Sequence, residues 1–197
     1  MVHEAAGDGA RILELGCGTG RVTHPLIELG HDVTAVDESP EMLARVRGAK
    51  TVLARIQDLD LGGRRFDAVV LGSHLFNVPD DGLLGAWLAS CRRHVADGGS
   101  VLIEQHPPSW FETVADSERT ADDGLIVRTC GVRRRGPGLV SATVEYAYGD
   151  QLWTQSFTAR EITETDLPRV LDQAGLAFAG YLTGDRSWLR AVPLRTT

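Results

Sequence analysis

Arg11-Ile-Leu-Glu-Leu-Gly-Cys-Gly-Thr-Gly20 joins an apolar strand, residues 11–15, to a glycine-rich turn, residues 16–20. A strand that enters such a turn and then a helix lets backbone approach a ligand closely and points N–H groups at it. A dinucleotide fingerprint built on Gly16 and Gly18 needs glycine at position 21, and that residue is Arg21. Glu14 would repel a pyrophosphate but suits a ligand carrying an ammonium group. Asp37, closing the next apolar run, suits the two hydroxyls of a ribose. The pattern describes a nucleoside with a cationic rather than phosphorylated tail, and disfavours a nicotinamide oxidoreductase.

Working outward, short apolar runs alternate with helical spacing, the pattern of stacked β-α units and a parallel sheet. The spacing predicts a helix over about 20–29 stopped by Gly30, and strands over 31–37, 51–56 and 66–72. Ser39 and Pro40 predict a helix start, with Met42, Leu43 and Val46 on its apolar face. Leu84, Trp87, Leu88, Cys91 and Val95 predict a helix over 81–95, ended by Asp97-Gly-Gly99 before a strand over 101–105. Three strand-like runs follow at 125–132, 139–148 and 151–158, with hairpin turns expected at 133–138 and 149–150. A final helix over 165–174 and strands over 176–182 and 187–192 complete the pattern. The expected fold is a single α/β domain over 1–197. It has a doubly wound, mostly parallel sheet and an antiparallel β-meander inserted over about 109–160.

Composition narrows the function classes. The chain has 197 residues, 43% hydrophobic and 24% charged, which fits one globular domain and excludes disorder and collagen-like repeats. A net charge of −7 disfavours a nucleic-acid partner. Apolar runs are too short for a bilayer span, and the start Met1-Val2-His3-Glu4 lacks the marks of a signal peptide. A cytoplasmic protein without a membrane partner is expected. Cys17, Cys91 and Cys130 are too scattered for a disulfide framework or a zinc set, and the histidines form no ligand group, so no metal is expected.

Residues 12–20 together with Val33-Thr-Ala-Val-Asp-Glu-Ser39 resemble the class I S-adenosylmethionine-dependent methyltransferases. The resemblance extends through Pro40-Glu-Met-Leu43, Gln57-Asp58-Leu59, residues 66–70 and residues 98–102. It implies a Rossmann-like sheet of seven strands and S-adenosylmethionine as methyl donor, with S-adenosylhomocysteine as product. It places Glu14 at the methionine ammonium, Gly16, Gly18 and Gly20 beside the methionine and ribose, and Asp37 with Glu38 at the ribose. Asp58 and Leu59 fall to the adenine, and Ser73 to the methionine end. Asp58 also reads as a solvated turn residue. Cys17 has no base placed to activate it as a nucleophile.

In a doubly wound sheet an acceptor binds beyond the carboxyl ends of the strands. That puts residues 72–77 and 104–110 at the chemistry. His106 and His74 are the candidate bases, each with a packing role as the alternative; Asn77, Glu104 and Trp110 are candidate pocket residues. Residues 71–74 lack the Asn/Asp-Pro-Pro-aromatic pattern of enzymes acting on macromolecules, so the resemblance implies a small-molecule acceptor, methylated on O or N. The other reading is a protein of the same fold that binds the nucleoside as a regulator, or catalyses a different reaction. Arg133-Arg-Arg135 reads as a solvated hairpin tip. Tyr146, Tyr148, Trp153 and Phe157 frame an acceptor, pack a hairpin, or form a homodimer surface; the sequence leaves all three open. Ten residues precede the first strand, so a shortened N-terminus and an open, weakly binding cofactor cleft are expected.

Overall fold

Consecutive apolar residues in the first half of the chain face opposite ways. Leu13, Val69 and Ile103 share one core with Leu84, Leu88 and Leu171, while Ile12, Val70 and Leu102 share another with Val2, Leu26 and Val33. Alternation is what a strand imposes on neighbouring side chains, and two apolar faces mean a sheet covered on both sides.

The computed structural model describes residues 1–121 and 124–194. The elements in chain order are α1 (Val2–Ala6), β1 (Arg11–Leu15), α2 (Thr23–Glu28), β2 (Asp32–Asp37), α3 (Pro40–Leu43) and β3 (Lys50–Leu53). There follow β4 (Phe66–Leu71), α4 (Asp81–His94), β5 (Val95–Glu104), α5 (Pro108–Thr113) and β6 (Ser117–Thr120). Then come β7 (Ile126–Gly136), β8 (Leu139–Tyr148), β9 (Gln151–Arg160), α6 (Leu167–Asp172), β10 (Leu176–Tyr181) and β11 (Trp188–Pro193). Short 3-10 turns lie at Ile56–Asp58 and Leu75–Asn77.

One sheet of seven strands has the order β10-β11-β5-β4-β1-β2-β3. Strands β1 to β5 run parallel, and β11 joins β5 antiparallel. This is the doubly wound arrangement expected, and its carboxyl ends gather the glycine turn, residues 72–77 and residues 105–110 on one rim. A separate antiparallel sheet, β6-β7-β8-β9, stands on that rim. Its inner face (Val140, Ala159 and Phe157) packs on Trp110 and Phe111 of α5.

Several boundaries differ from the sequence reading for local reasons. Helix α2 begins at Thr23, because Gly16, Gly18 and Gly20 all adopt positive φ and hold the chain out of helix. Ser39 caps α3 as expected, its hydroxyl accepting from the Met42 N–H at 3.2 Å, but one turn suffices and Met42 stays exposed. Ile56 lies in a 3-10 turn rather than in β3. Helix α4 passes directly into β5 at Val95, so Asp97-Gly-Gly99 lies inside the strand, where the pairing with β4 shifts register.

The inserted sheet has a fourth strand, β6, which the reading missed because Ser117–Thr120 is short, polar and exposed on both sides. Arg133–Arg135 are exposed as expected, but belong to β7 rather than to the turn. Arg134 donates to the carbonyls of Glu112 and Val114 at the end of α5, and Arg135 to the Ser141 hydroxyl. The residues ahead of β1 form α1, whose Val2 is buried in the core on the α2 face. Among the described residues, no helix is long and apolar enough to cross a membrane.

The β4–β5 irregularity yields a stability prediction. A Cβ at Gly99 would lie 2.7 Å from the Asp67 carbonyl oxygen and 3.0 Å from that of Phe66, whereas one at Gly98 meets nothing within 4 Å. Urea denaturation should show Gly99→Ala losing about 1–3 kcal/mol, the range of an overpacked site. Gly98→Ala should change stability by under about 0.5 kcal/mol.

Candidate active site

The glycine turn is fastened to β2 by main chain and side chain together. Gly16 and Cys17 N–H both donate to the Val36 carbonyl, at 2.9 and 3.0 Å. The Asp37 carboxylate accepts from the Gly18 N–H at 2.8 Å with one oxygen and from the Ser39 N–H at 2.9 Å with the other. Each oxygen keeps acceptor capacity beyond those bonds, so Asp37 is fixed in place and still able to receive hydroxyls. Gly16 adopts φ 70°, a conformation L side chains rarely take, and a Cβ there would lie 2.7 Å from the tip of Leu75, Cδ1. That contact brings the loop after β4 against the turn.

Glu14 lies buried beneath the turn and accepts a hydrogen bond from the Thr23 hydroxyl. Burial pushes its carboxyl up to about 7, opposed by Thr23 and Arg21 and reinforced by the negative charges of Glu104 and Asp37. Glu104, at the end of β5, receives the Arg21 guanidinium at 2.9 Å and the Ser73 N–H at 2.6 Å, both on Oε2. Arg21 therefore reaches from the glycine turn across to β5. Burial pushes the Cys17 thiol up to about 12. Burial thus favours the protonated thiol, the less nucleophilic form.

Ser73 and His74 both adopt left-handed backbone with φ 56°. Two adjacent non-glycine residues in that region carry strain that their surroundings must hold. The Ser73 bond to Glu104 and the stacking of His74 supply the restraint. The His74 ring lies on His106 at 4.0 Å and 17°, and His106 lies on Trp110 at 3.8 Å and 10°. Phe157 of the second sheet is 6.2 Å from His106. Burial, with His74 adding to it, pushes His106 down to about 3; His74 is also lowered, chiefly by burial. Burial thus favours the neutral form of both rings.

The structure brings Glu14, Gly16, Gly18, Gly20, Asp37, Ser73, His74, Glu104, His106 and Trp110 to one rim of the sheet, and adds Arg21 and Thr23. Exposed Glu38 follows Asp37 and pairs with Arg55 at 3.6 Å. Asp58 is exposed on the turn after β3, while the Leu59 side chain is buried in the core, leaving only its backbone for a ligand.

Two candidates are corrected. Asn77 is buried, accepting from the His106 N–H at 2.7 Å and donating to the Arg160 carbonyl at 2.9 Å. It braces the loop, the segment after β5 and the end of β9, and does not line a pocket. Tyr146 pairs with Trp153, six residues along β8 from Val140. At ~3.3 Å per residue that is about 20 Å from the packed end of the sheet, so it is not brought to the others. Arg21 and Thr23 were missed because their roles depend on where α2 begins, which spacing did not give.

Residues 12–99 match the methyltransferase domain family. The ubiquinone biosynthesis O-methyltransferase of Xanthomonas oryzae pv. oryzae (strain PXO99A) is 35% identical over 104 residues, covering 48% of this chain and 42% of that protein. The chain thus spans less than half the length of the curated relatives it matches. The sugar N-methyltransferase KedS8 from Streptoalloteichus sp superposes with a TM-score of 0.77 at 23% identity, covering 96% of this chain and 83% of that one. CalS10, an amino pentose methyltransferase from Micromonospora echinaspora solved with S-adenosylmethionine bound, gives 0.72 at 25% identity, covering 96% and 86%. Matching sequence over residues 12–99 and matching fold over nearly the whole chain make this protein similar to the S-adenosylmethionine-dependent methyltransferases.

Proposed function

We propose that the chain transfers a methyl group from S-adenosylmethionine to an O or N atom of a small molecule. The observation that carries this is Asp37, tied to both the glycine turn and α3, beside a buried carboxyl, Glu14, at the adjoining strand. A ribose on Asp37 directs the methionine end toward Glu14 and Ser73, and its sulfonium toward the stacked imidazoles. Asp58 and the Leu59 backbone serve the adenine, and Glu38 stands at the ribose rim.

Methyl transfer from a sulfonium is an in-line displacement that needs alignment and exclusion of water more than acid–base power. The stack of His74, His106 and Trp110 forms a rigid, partly dry wall for the acceptor. Neutral His106 offers a lone pair to an acceptor N–H or O–H and fixes its orientation. The relatives that resemble this chain act on small molecules by their names, O-methyltransferase and sugar N-methyltransferase among them, which supports the acceptor class. Exposed Tyr146, Tyr148, Leu152 and Trp153 at the far end of the second sheet support its further use as a homodimer surface. Trp153→Asp should then convert a sedimenting dimer to monomer.

Titration calorimetry should find S-adenosylmethionine binding and no NADH binding. Asp37→Ala should weaken the former about tenfold or more, the effect of losing hydrogen bonds to a charged group; unchanged affinity would remove Asp37 from the ribose. His106→Ala should lower turnover more than cofactor affinity, and equal activity would leave His106 structural.

Glu14 gives a pH signature. Its folded value of about 7 lies above the ordinary 4.5, so the native state holds a proton that the unfolded chain releases. Its contribution to stability is present below about pH 4.5 and is lost as pH rises to about 7. Denaturation series should show that decline in the wild type and a flatter profile over the same window in Glu14→Gln.

A further inference from the structure

We infer that Glu104 makes this site select a cationic amine as methyl acceptor over an alcohol or a carboxylate on the same scaffold. The inference rests on the methyl-transfer reading above. Glu104 is 7% exposed, yet only its Oε2 is engaged, by Arg21 and by the Ser73 N–H. Oε1 makes no hydrogen bond among the described residues. Among the described residues, the one ion pair of Glu104 is with Arg21, whose side chain is 63% exposed. Glu14 lies close enough to Glu104 for the two carboxyls to interact electrostatically. The neighbouring wall, His74 stacked on His106, is pushed by burial toward the neutral form. A buried carboxylate with one oxygen free and an exposed, displaceable partner is poised to take another cation.

The chemistry of the transfer favours the same acceptor. An ammonium group binds beside Glu104 and releases one proton to solvent, leaving a neutral amine. The nitrogen lone pair forms the new N–C bond as the S–C bond breaks. The bonding pair stays on sulfur, which becomes the neutral thioether of S-adenosylhomocysteine. Positive charge thus moves from sulfur to the acceptor nitrogen, and the Glu104 carboxylate is placed to stabilise it there. An alcohol instead needs a base to take its proton during attack, and burial lowers the basicity of both imidazoles. A carboxylate acceptor meets like charge.

The test uses the full chain saturated with S-adenosylhomocysteine and three probes that differ only in head group: n-butylammonium, 1-butanol and butyrate. Ligand-observed NMR titration gives the three affinities. Butylammonium should bind about tenfold or more tighter than either companion. Glu104→Gln should bring it close to butanol, while Arg21→Gln, which removes the competing cation, should widen the gap. The ratio is read within each protein, so a general loosening of the site does not imitate the result. Equal affinities, a preference for butyrate, or no detectable butylammonium binding would overturn the inference. Failure to bind S-adenosylhomocysteine at all would instead overturn the methyl-transfer reading.

Discussion

The end of β2 controls the geometry of the whole rim. The Val36 carbonyl takes two N–H groups from the glycine turn, and the Asp37 carboxylate takes a third from Gly18 and a fourth from Ser39. One short stretch of strand therefore sets the path of the turn, the start of α3 and the direction of the carboxylate. Because β2 pairs with β1 in register from Arg11 to Leu15, the turn cannot shift without breaking the sheet. The left-handed glycines let the chain accept that path, and Leu75 closing on Gly16 carries the constraint to the loop after β4.

Around this frame the charges are arranged unequally. Glu14 and Glu104 are both buried, and Arg21 reaches toward them from solvent. Ion pairs that bury one partner and expose the other are exchangeable, since the exposed side chain finds water whenever it leaves. A ligand with a carboxylate for Arg21 and cationic groups for the acids relieves the cost of burying those acids. The strained Ser73 and His74 lie at the same point, held by Glu104 on one side and the aromatic stack on the other. Strain and unbalanced charge coincide where the reacting atoms are proposed to meet.

The cofactor half of this site was legible in the sequence because it depends on backbone. Glycines forced by positive φ, an acid at a strand end and a capping serine leave signs in residue type and spacing. The acceptor half depends on side chains that meet across distant elements. Asn77 read as a pocket residue, yet its partners lie at His106 and Arg160, which no local pattern connects. Tyr146 read as pocket because it is aromatic and lies in the insertion, but the register of β8 places it at the far end. Arg133–Arg135 looked like a tip because Pro137 and Gly138 follow. The turn is confined to those two residues, and β7 continues to Gly136. Glu104 was read as a candidate pocket residue, while its link to Arg21 came only from the folded chain.

The central claim is that Asp37 receives the ribose and delivers the sulfur to the loop after β4. A crystal structure of the chain with S-adenosylhomocysteine tests it directly. The account predicts both ribose hydroxyls within about 2.7–3.2 Å of the Asp37 oxygens, with the sulfur beside Ser73 and facing the His74–His106 stack. A nucleoside bound elsewhere, or bound at the glycine turn with Asp37 turned away from it, would contradict the account.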